Sequence, residues 1–442
     1  MPPECVSLIP YREPGTSVRQ AVDQAGGLPK LSPGARIFIK PNIVFWTKAA
    51  DFPKWGVITT SRVVRDMVEL LAEHGYRNIR IGEGSITFKP KDRQTQLNAF
   101  ERLGYTALAK RYGVKLDPLL NGTFSKIDLD DGLELGYSDS VLESDLIIDL
   151  PVLKTHAQTM VSLGIKNLKG CLDIPSRKRC HSADPVRDLH FHIARLADPL
   201  PPVFTLIDGI FSIERGPGFD GRPRRSDLLL ASRDLLSADL VGAKLLGFDP
   251  GYVPHLRLAA ENRSRTTDCS DVEAVGLSVE EAAGTYEWSF PYDESGVLPR
   301  PLAKMGIRGL SYPKYDSTLC TYCSILNGLV LTAIAQAWSG QPFDEVEVLT
   351  GKVMQPTPGK RRTVLLGKCM SRVNSEHPDI QEAIPVPTCP PKPADINAAL
   401  KRAGIEVDPQ ILEQAEAMPA FLLSKFKDRP EFEEAFYRID DL

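Results

Sequence analysis

Residues 145–156 read DLIIDLPVLKTH. The run is almost wholly apolar, is rich in branched side chains, and ends in a lysine, a threonine and a histidine. A strand buried on both faces reads as such a continuous run, whereas a half-buried strand alternates. The stretch therefore predicts a central parallel strand over 145–153, with Lys154-Thr155-His156 leaving its carboxyl end. Outward from it, residues 36–44 (RIFIKPNIV) form another β-branched run, and residues 78–81 a further strand ending in Gly82-Glu83-Gly84-Ser85. Between these two, Val63, Val64, Met67, Leu70 and Leu71 recur at helical spacing over 61–74, and Gly75 follows as a natural helix stop. Residues 203–207 form the next strand, ending at Asp208-Gly209, and 237–246 a helix stopped by Gly247. Short apolar strands alternating with amphipathic helices indicate an α/β fold with a mostly parallel sheet.

Open sheets of this kind bind ligands at the carboxyl ends of their strands. Lys40-Pro41-Asn42, Lys154-Thr155-His156 and Asp208-Gly209 all fall at such positions in the predicted layout. Asp208 also begins DGIFSIERGPG (208–218), a glycine-rich turn bearing Glu214, whose backbone N–H groups suit an anion.

Length and composition set the frame around this core. The chain has 442 residues, 53 lysines and arginines against 57 aspartates and glutamates, and a formal charge of −4. That balance gives no electrostatic support to a nucleic-acid or anionic-membrane partner. The longest apolar run, 324–338, is too short for a membrane span and is interrupted by Asn327 and Gln336. No secretory signal opens the chain, so a cytoplasmic protein with reduced thiols is expected. The expected domains are a core over 1–300 and a smaller C-terminal α/β module over 301–442, with the boundary falling between about 284 and 315. Within the module, residues 346–349 and 363–366 are strand candidates, and the chain beyond Ala394 is helical by pattern.

Four of the eight cysteines fall in that module. Cys320 and Cys323 form a C-x-x-C ahead of an apolar helix, Cys369 follows a strand, and Cys389 sits in a Cys-Pro-Pro loop. All four lie beside strand or helix ends and could converge. Four thiolates suit a [4Fe–4S] cluster or a tetrahedral zinc. Structural zinc sites usually pair two short knuckles, and here only one pair is close, so the iron–sulfur cluster is the stronger reading. A thioredoxin-like C-x-x-C would leave Cys369 and Cys389 unexplained. Cys5, Cys171, Cys180 and Cys269 receive no role.

Residues 154–181 (KTHAQTMVSLGIKNLKGCLDIPSRKRCH) gather two histidines and six cations. The basic triplet 177–179 reads as a solvated loop. Lys154, His156, Lys166 and Asn167 are interleaved with Val152, Leu153, Met160, Leu163 and Ile165, which favours a site. With Lys40 and Asn42 these residues would line a cationic pocket for a carboxylate or phosphate. His156 is the expected general acid/base and Lys166 the anion clamp or covalent anchor. Asp208 and Glu214 complete the expected substrate contacts.

Six motifs occur in order: IKPN (39–42), LKTH (153–156), GIKNLKG (164–170), IDG (207–209), GPG (216–218) and SAD (237–239). In this the chain resembles the domain-of-unknown-function family 362 over roughly residues 35–265. Because members of that family often carry iron–sulfur domains, the resemblance implies a cluster in agreement with the C-terminal cysteines. The order of His156, Lys166 and His181 is also similar to that in nickel-dependent lactate racemases. There the lysine tethers a nickel-pincer nucleotide, one histidine accepts a proton and a later one ligates nickel. The glycine-proline signature that follows the lysine in those enzymes is replaced here by Asn167-Leu168-Lys169-Gly170. The expectation is a [4Fe–4S] redox protein acting on a small anionic substrate and served by an electron donor such as a ferredoxin. The alternatives are a pincer-type racemase with His156, Lys166 and His181 in its site, and a non-catalytic cluster carrier.

Overall fold

The computed structural model describes residues 3–89, 91–130 and 132–439. The chain divides into two units. One comprises the residues up to Arg177, His190–Ser289 and the chain from Pro419; the other comprises Lys178–Leu189 and Phe290–Met418.

The first unit is built on a mixed, mostly parallel sheet. Its middle strands are Arg36–Pro41 and Leu146–Leu150, which pair in parallel. Asn78–Glu83 and then Lys115–Pro118 extend the sheet in parallel on one side. On the other side Val203–Glu214 lies parallel to Leu146–Leu150 and returns as an antiparallel hairpin through Arg222–Ser232. Glu4–Pro10 and Val272–Gly276 close that edge. Leu146, Ile147, Ile148 and Leu150 are each 1% exposed or less, as a strand covered on both faces requires. The helix Ser61–Glu73 ends before His74, and Gly75 follows at positive φ.

Three expectations are corrected. The run 145–153 is not one strand. Pro151, which has no N–H for the ladder, separates Leu146–Leu150 from Val152–His156, so Lys154, Thr155 and His156 lie inside a strand rather than in a loop after one. Asp208 and Gly209 likewise do not end a strand. The strand Val203–Glu214 continues past them with a register shift between Gly209 and Phe211, and only the residues after Glu214 form the turn. The tail beyond 419 belongs to the first unit. Trp55 packs on Phe426 and Phe432 at centroid distances of 4.9 and 5.4 Å, and the Tyr437 hydroxyl donates to the carbonyl of Lys54 at 3.0 Å.

The second unit has a four-stranded parallel sheet in the order Leu310–Ser311, Val346–Leu349, Arg362–Leu366, Ala383–Val386. The helix Thr321–Gln336 covers it through Leu326, Val330 and Ile334, and Pro393–Arg402 adds Ile396 and Leu400 to the same core. No helix among the described residues is long and apolar enough to cross a membrane.

The loop around Gly56 has no room for a side chain. Gly56 has φ +67°, and a Cβ there would stand 2.5 Å from the carbonyl oxygen of Ser212. Both the backbone conformation and the contact oppose any other residue. Gly56→Ala is expected to destabilise the protein by more than ~1 kcal/mol, measured by urea denaturation; an unchanged midpoint would contradict this close approach.

Candidate functional site

Lys40, Asn42, Lys154 and Asn167 come together at one place in the first unit, in a network with little access to water. Lys40 is wholly buried, and its ammonium donates to Glu83 Oε2 at 2.8 Å, to the carbonyl of Pro41 at 2.9 Å and to Asn167 Oδ1 at 3.4 Å. Asn42 Nδ2 donates to the same Asn167 oxygen at 2.8 Å. Lys154 Nζ donates to Asn42 Oδ1 at 2.5 Å and to the carbonyl of Val57 at 2.8 Å. Asn167 Nδ2 reaches Asp149 Oδ1 at 2.8 Å. Glu83 is further held by the N–H groups of Ile43 and Gly84.

Glycine is required where this network meets the segment after Lys166. A Cβ on Gly170 would fall 2.5 Å from Glu83 Oε1 and 2.7 Å from Lys40 Nζ. The glycines of GIKNLKG therefore reflect close approach to buried charge. Nearby, Asp239 accepts from the N–H groups of Gly164 and Ile165 at 2.7 and 2.8 Å and so anchors the start of the helix Leu163–Asn167.

Burial dominates the electrostatics. It pushes Lys154 down to about 7, with Lys40 adding repulsion and Glu83 opposing. It raises Asp149 well above the carboxylate range, and Asp149 Oδ2 has no hydrogen-bond partner. Lys166, partly accessible, is also held well below the usual lysine range, first by burial and then by Lys169 and Lys154. No carboxylate among the described residues pairs with its amine. His255 is fully buried with both ring nitrogens unpartnered, and burial, His190 and Lys166 keep it neutral.

The other expected residues are placed differently. His156 ends its strand 8% exposed, and its Nδ1 accepts from the N–H of Gln158 at 3.1 Å. His181 belongs to the second unit, where Nδ1 lies 2.8 Å from the carbonyl oxygen of Ser317. Asp208 binds the backbone N–H groups of Thr60 and Ile210, and Glu214 pairs with Arg224 at 2.6 Å. Glu83, Asp149, Asp239 and His255 were missed. The signal for Asp149 was present, as a carboxylate inside an apolar strand must find a buried partner.

In the second unit, Cys320 caps the helix Thr321–Gln336 and Cys323 lies in its first turn. Their side chains hydrogen-bond. That bond, two backbone N–H groups and Lys352 bring Cys320 down to about 6 against the effect of burial. Cys323 is pushed above the usual thiol range by the same bond, by burial, and by the charges of Cys320, Cys389 and Cys369. Two contacts bring these segments together. A Cβ on Gly367 would stand 3.3 Å from Cys323 Sγ, and the N–H of Lys368 donates to the carbonyl of Thr388 at 3.2 Å. The second contact ties the helix Lys368–Asn374, which carries Cys369 near its start rather than in the expected loop, to the loop carrying Cys389. Among the described residues no three His, Cys, Asp or Glu side chains are gathered closely enough to hold one metal ion.

Two outcomes follow. Asn167→Leu removes both the acceptor shared by Lys40 and Asn42 and the donor to Asp149. It should cost about 2–4 kcal/mol by urea denaturation, and a loss under ~1 kcal/mol would show the network to be dispensable. Burial raises Asp239 to about 7 and Asp208 to about 6, whereas unfolded aspartates lose their protons near pH ~4. Between those limits the folded chain holds more protons, so these two groups make stability fall as pH rises. The melting temperature of Asp239→Asn should therefore vary less than wild type between about pH 5 and about pH 7; parallel profiles would refute the raised carboxyl.

The chain is 27% identical over 250 residues to the "Thylakoid-associated protein sll1697" of Synechocystis sp., covering 56% of this chain and 74% of that protein. The lactate racemase apoprotein of Thermoanaerobacterium thermosaccharolyticum gives a TM-score of 0.36 at 13% identity, over 54% of this chain and 56% of that one. Nothing about chemistry follows from so partial a likeness. Residues 37–244, which carry Lys40, Asn42, Lys154, Asn167 and Asp239, match the family model described as "Domain of unknown function (DUF362)".

Proposed function

We propose that the protein is an iron–sulfur redox protein. Cys320, Cys323, Cys369 and Cys389 would hold a [4Fe–4S] cluster, and a small anionic substrate would bind at the basic surface around Lys166. The observation that carries this reading is the approach of three separate segments of the second unit: the start of the helix Thr321–Gln336 with Cys320 and Cys323, the start of the helix Lys368–Asn374 with Cys369, and the loop with Cys389. The donor set fits the group. It consists of thiols alone, the ligand type that holds such clusters. No disulfide links cysteines among the described residues, which suits a reducing compartment such as the cytoplasm. A bound cubane supplies one-electron transfer. Cys369 and Cys389 are exposed, which would leave an edge of the cluster open to a small electron-donor protein of the ferredoxin kind.

The substrate side of the reading rests on Lys166. Lys40 and Lys154 spend their hydrogen bonds on Glu83, Asn42, Asn167 and backbone carbonyls, so they act as scaffold. Lys166 keeps an amine with no carboxylate partner beside two other lysines. A carboxylate or phosphate would relieve that repulsion and restore its charge. His255 is kept neutral nearby by burial, His190 and Lys166, which opposes its taking up a proton. His156 is the acid/base candidate. Its Nδ1 accepts a backbone N–H, which leaves the proton of the neutral ring on Nε2. A neutral amine also suits covalent attachment, and an added mass on Lys166 in the intact protein would replace the anion reading with a tethered cofactor.

Purified without oxygen, the protein should be brown and contain about four irons and four sulfides per chain. Serine at any one of the four cysteines should lower the iron content, whereas serine at Cys5 or Cys269 should not. A colourless preparation with one zinc per chain would overturn the proposal.

A further inference from the structure

Lys178 of the second unit is aimed at a thiol. Its Nζ lies 3.3 Å from Cys389 Sγ. The same ammonium stands 5.3 Å over the ring of Tyr322, one of the two residues between the thiols of the C-x-x-C. No carboxylate among the described residues pairs with it. Its backbone is also fixed, because Lys352 Nζ donates to the carbonyl of Lys178 at 3.2 Å and also to that of His181. Lys352 in turn is the charge that acts on Cys320. Two lysines thus flank the thiol set, and one of them makes an N–H···S bond to it.

We propose that Lys178 is a positioning residue that raises the reduction potential of the cluster, through its charge and its hydrogen bond to the Cys389 sulfur. The inference rests on the cluster reading above. Four thiolates around the oxidised cubane make a dianion. One electron from a donor, here dithionite, makes it a trianion, with no bond broken and no proton taken up. A fixed ammonium at a ligand sulfur stabilises the trianion more than the dianion, and net charge and hydrogen bonds to sulfur are the terms that set such potentials. The cation–π contact with Tyr322 keeps the ammonium over the thiols rather than in solvent. Without Lys178 the same cluster should be harder to reduce.

The test uses the full chain, reconstituted anaerobically with iron and sulfide, as wild type, Lys178→Met, Lys178→Gln and Lys178→Arg. Iron and sulfide are counted first, and each protein is then titrated with dithionite while its reduced-state paramagnetic resonance signal is followed. At full iron content Lys178→Met should show a reduced-to-oxidised ratio roughly tenfold lower at the wild-type midpoint, a shift of ~59 mV for one electron. Lys178→Gln, which keeps a donor without the charge, should fall between Met and wild type, and Lys178→Arg should stay near wild type. Full iron with an unchanged midpoint in Lys178→Met would overturn the proposal and leave the cluster standing. Loss of iron in the Met and Gln variants alike would make Lys178 an assembly residue and also overturn it. Absence of iron from the wild type would overturn the cluster reading itself.

Discussion

Segments far apart in the chain meet at the side-chain amide of Asn167. Its oxygen takes hydrogen bonds from Lys40 and Asn42, and its nitrogen gives one to Asp149. Lys40 completes a buried ion pair with Glu83, and Asn42 holds the ammonium of Lys154 against the Val57 carbonyl. Replacing such a pair by apolar side chains is often neutral, but removing one member strands a charge at a cost of about 3–5 kcal/mol. The arrangement therefore contributes specificity more than stability. It fixes the ends of the Arg36–Pro41, Asn78–Glu83 and Leu146–Leu150 strands relative to the helix that presents Lys166.

This constraint separates scaffold from surface within one basic segment. Lys154 and Lys166 look alike in sequence, yet Lys154 donates to Asn42 and to the Val57 carbonyl inside the protein and Lys166 is left with like charges for neighbours. Both are shifted down by burial, and only Lys166 would gain a counter-ion by binding an anion. The second unit uses a similar economy. The thiolate character of Cys320 comes from Cys323, from two N–H groups at the start of a long helix, and from Lys352. Lys178 extends that positive flank to Cys389.

Much of this was legible in the sequence, and the losses have physical causes. The apolar run 145–153 announced a central buried strand, and Gly75 and Gly247 marked helix ends that the structure keeps at positive φ. Pro151 was visible, but whether a proline ends a strand or merely offsets two depends on the neighbouring ladder. The hairpin after Asp208 was hidden because a glycine in an apolar run reads as a turn until its partner strand is known. His181 looked close to Lys166 in sequence, but the chain enters the other unit after Arg177. The tail beyond 419 looked like the end of the second module, yet its aromatic residues pack on Trp55 of the first. The cysteine spacing singled out four candidates, but the bond from Lys368 to Thr388 that draws two of their segments together has no sequence signature.

The proposed binding of one iron–sulfur cluster by four cysteines of the second unit can be read from anomalous diffraction at the iron edge, in crystals grown without oxygen. A single compact iron peak bounded by the Sγ atoms of Cys320, Cys323, Cys369 and Cys389 is expected. A peak at the zinc edge alone, or iron density that leaves Cys369 or Cys389 unbound, would contradict it.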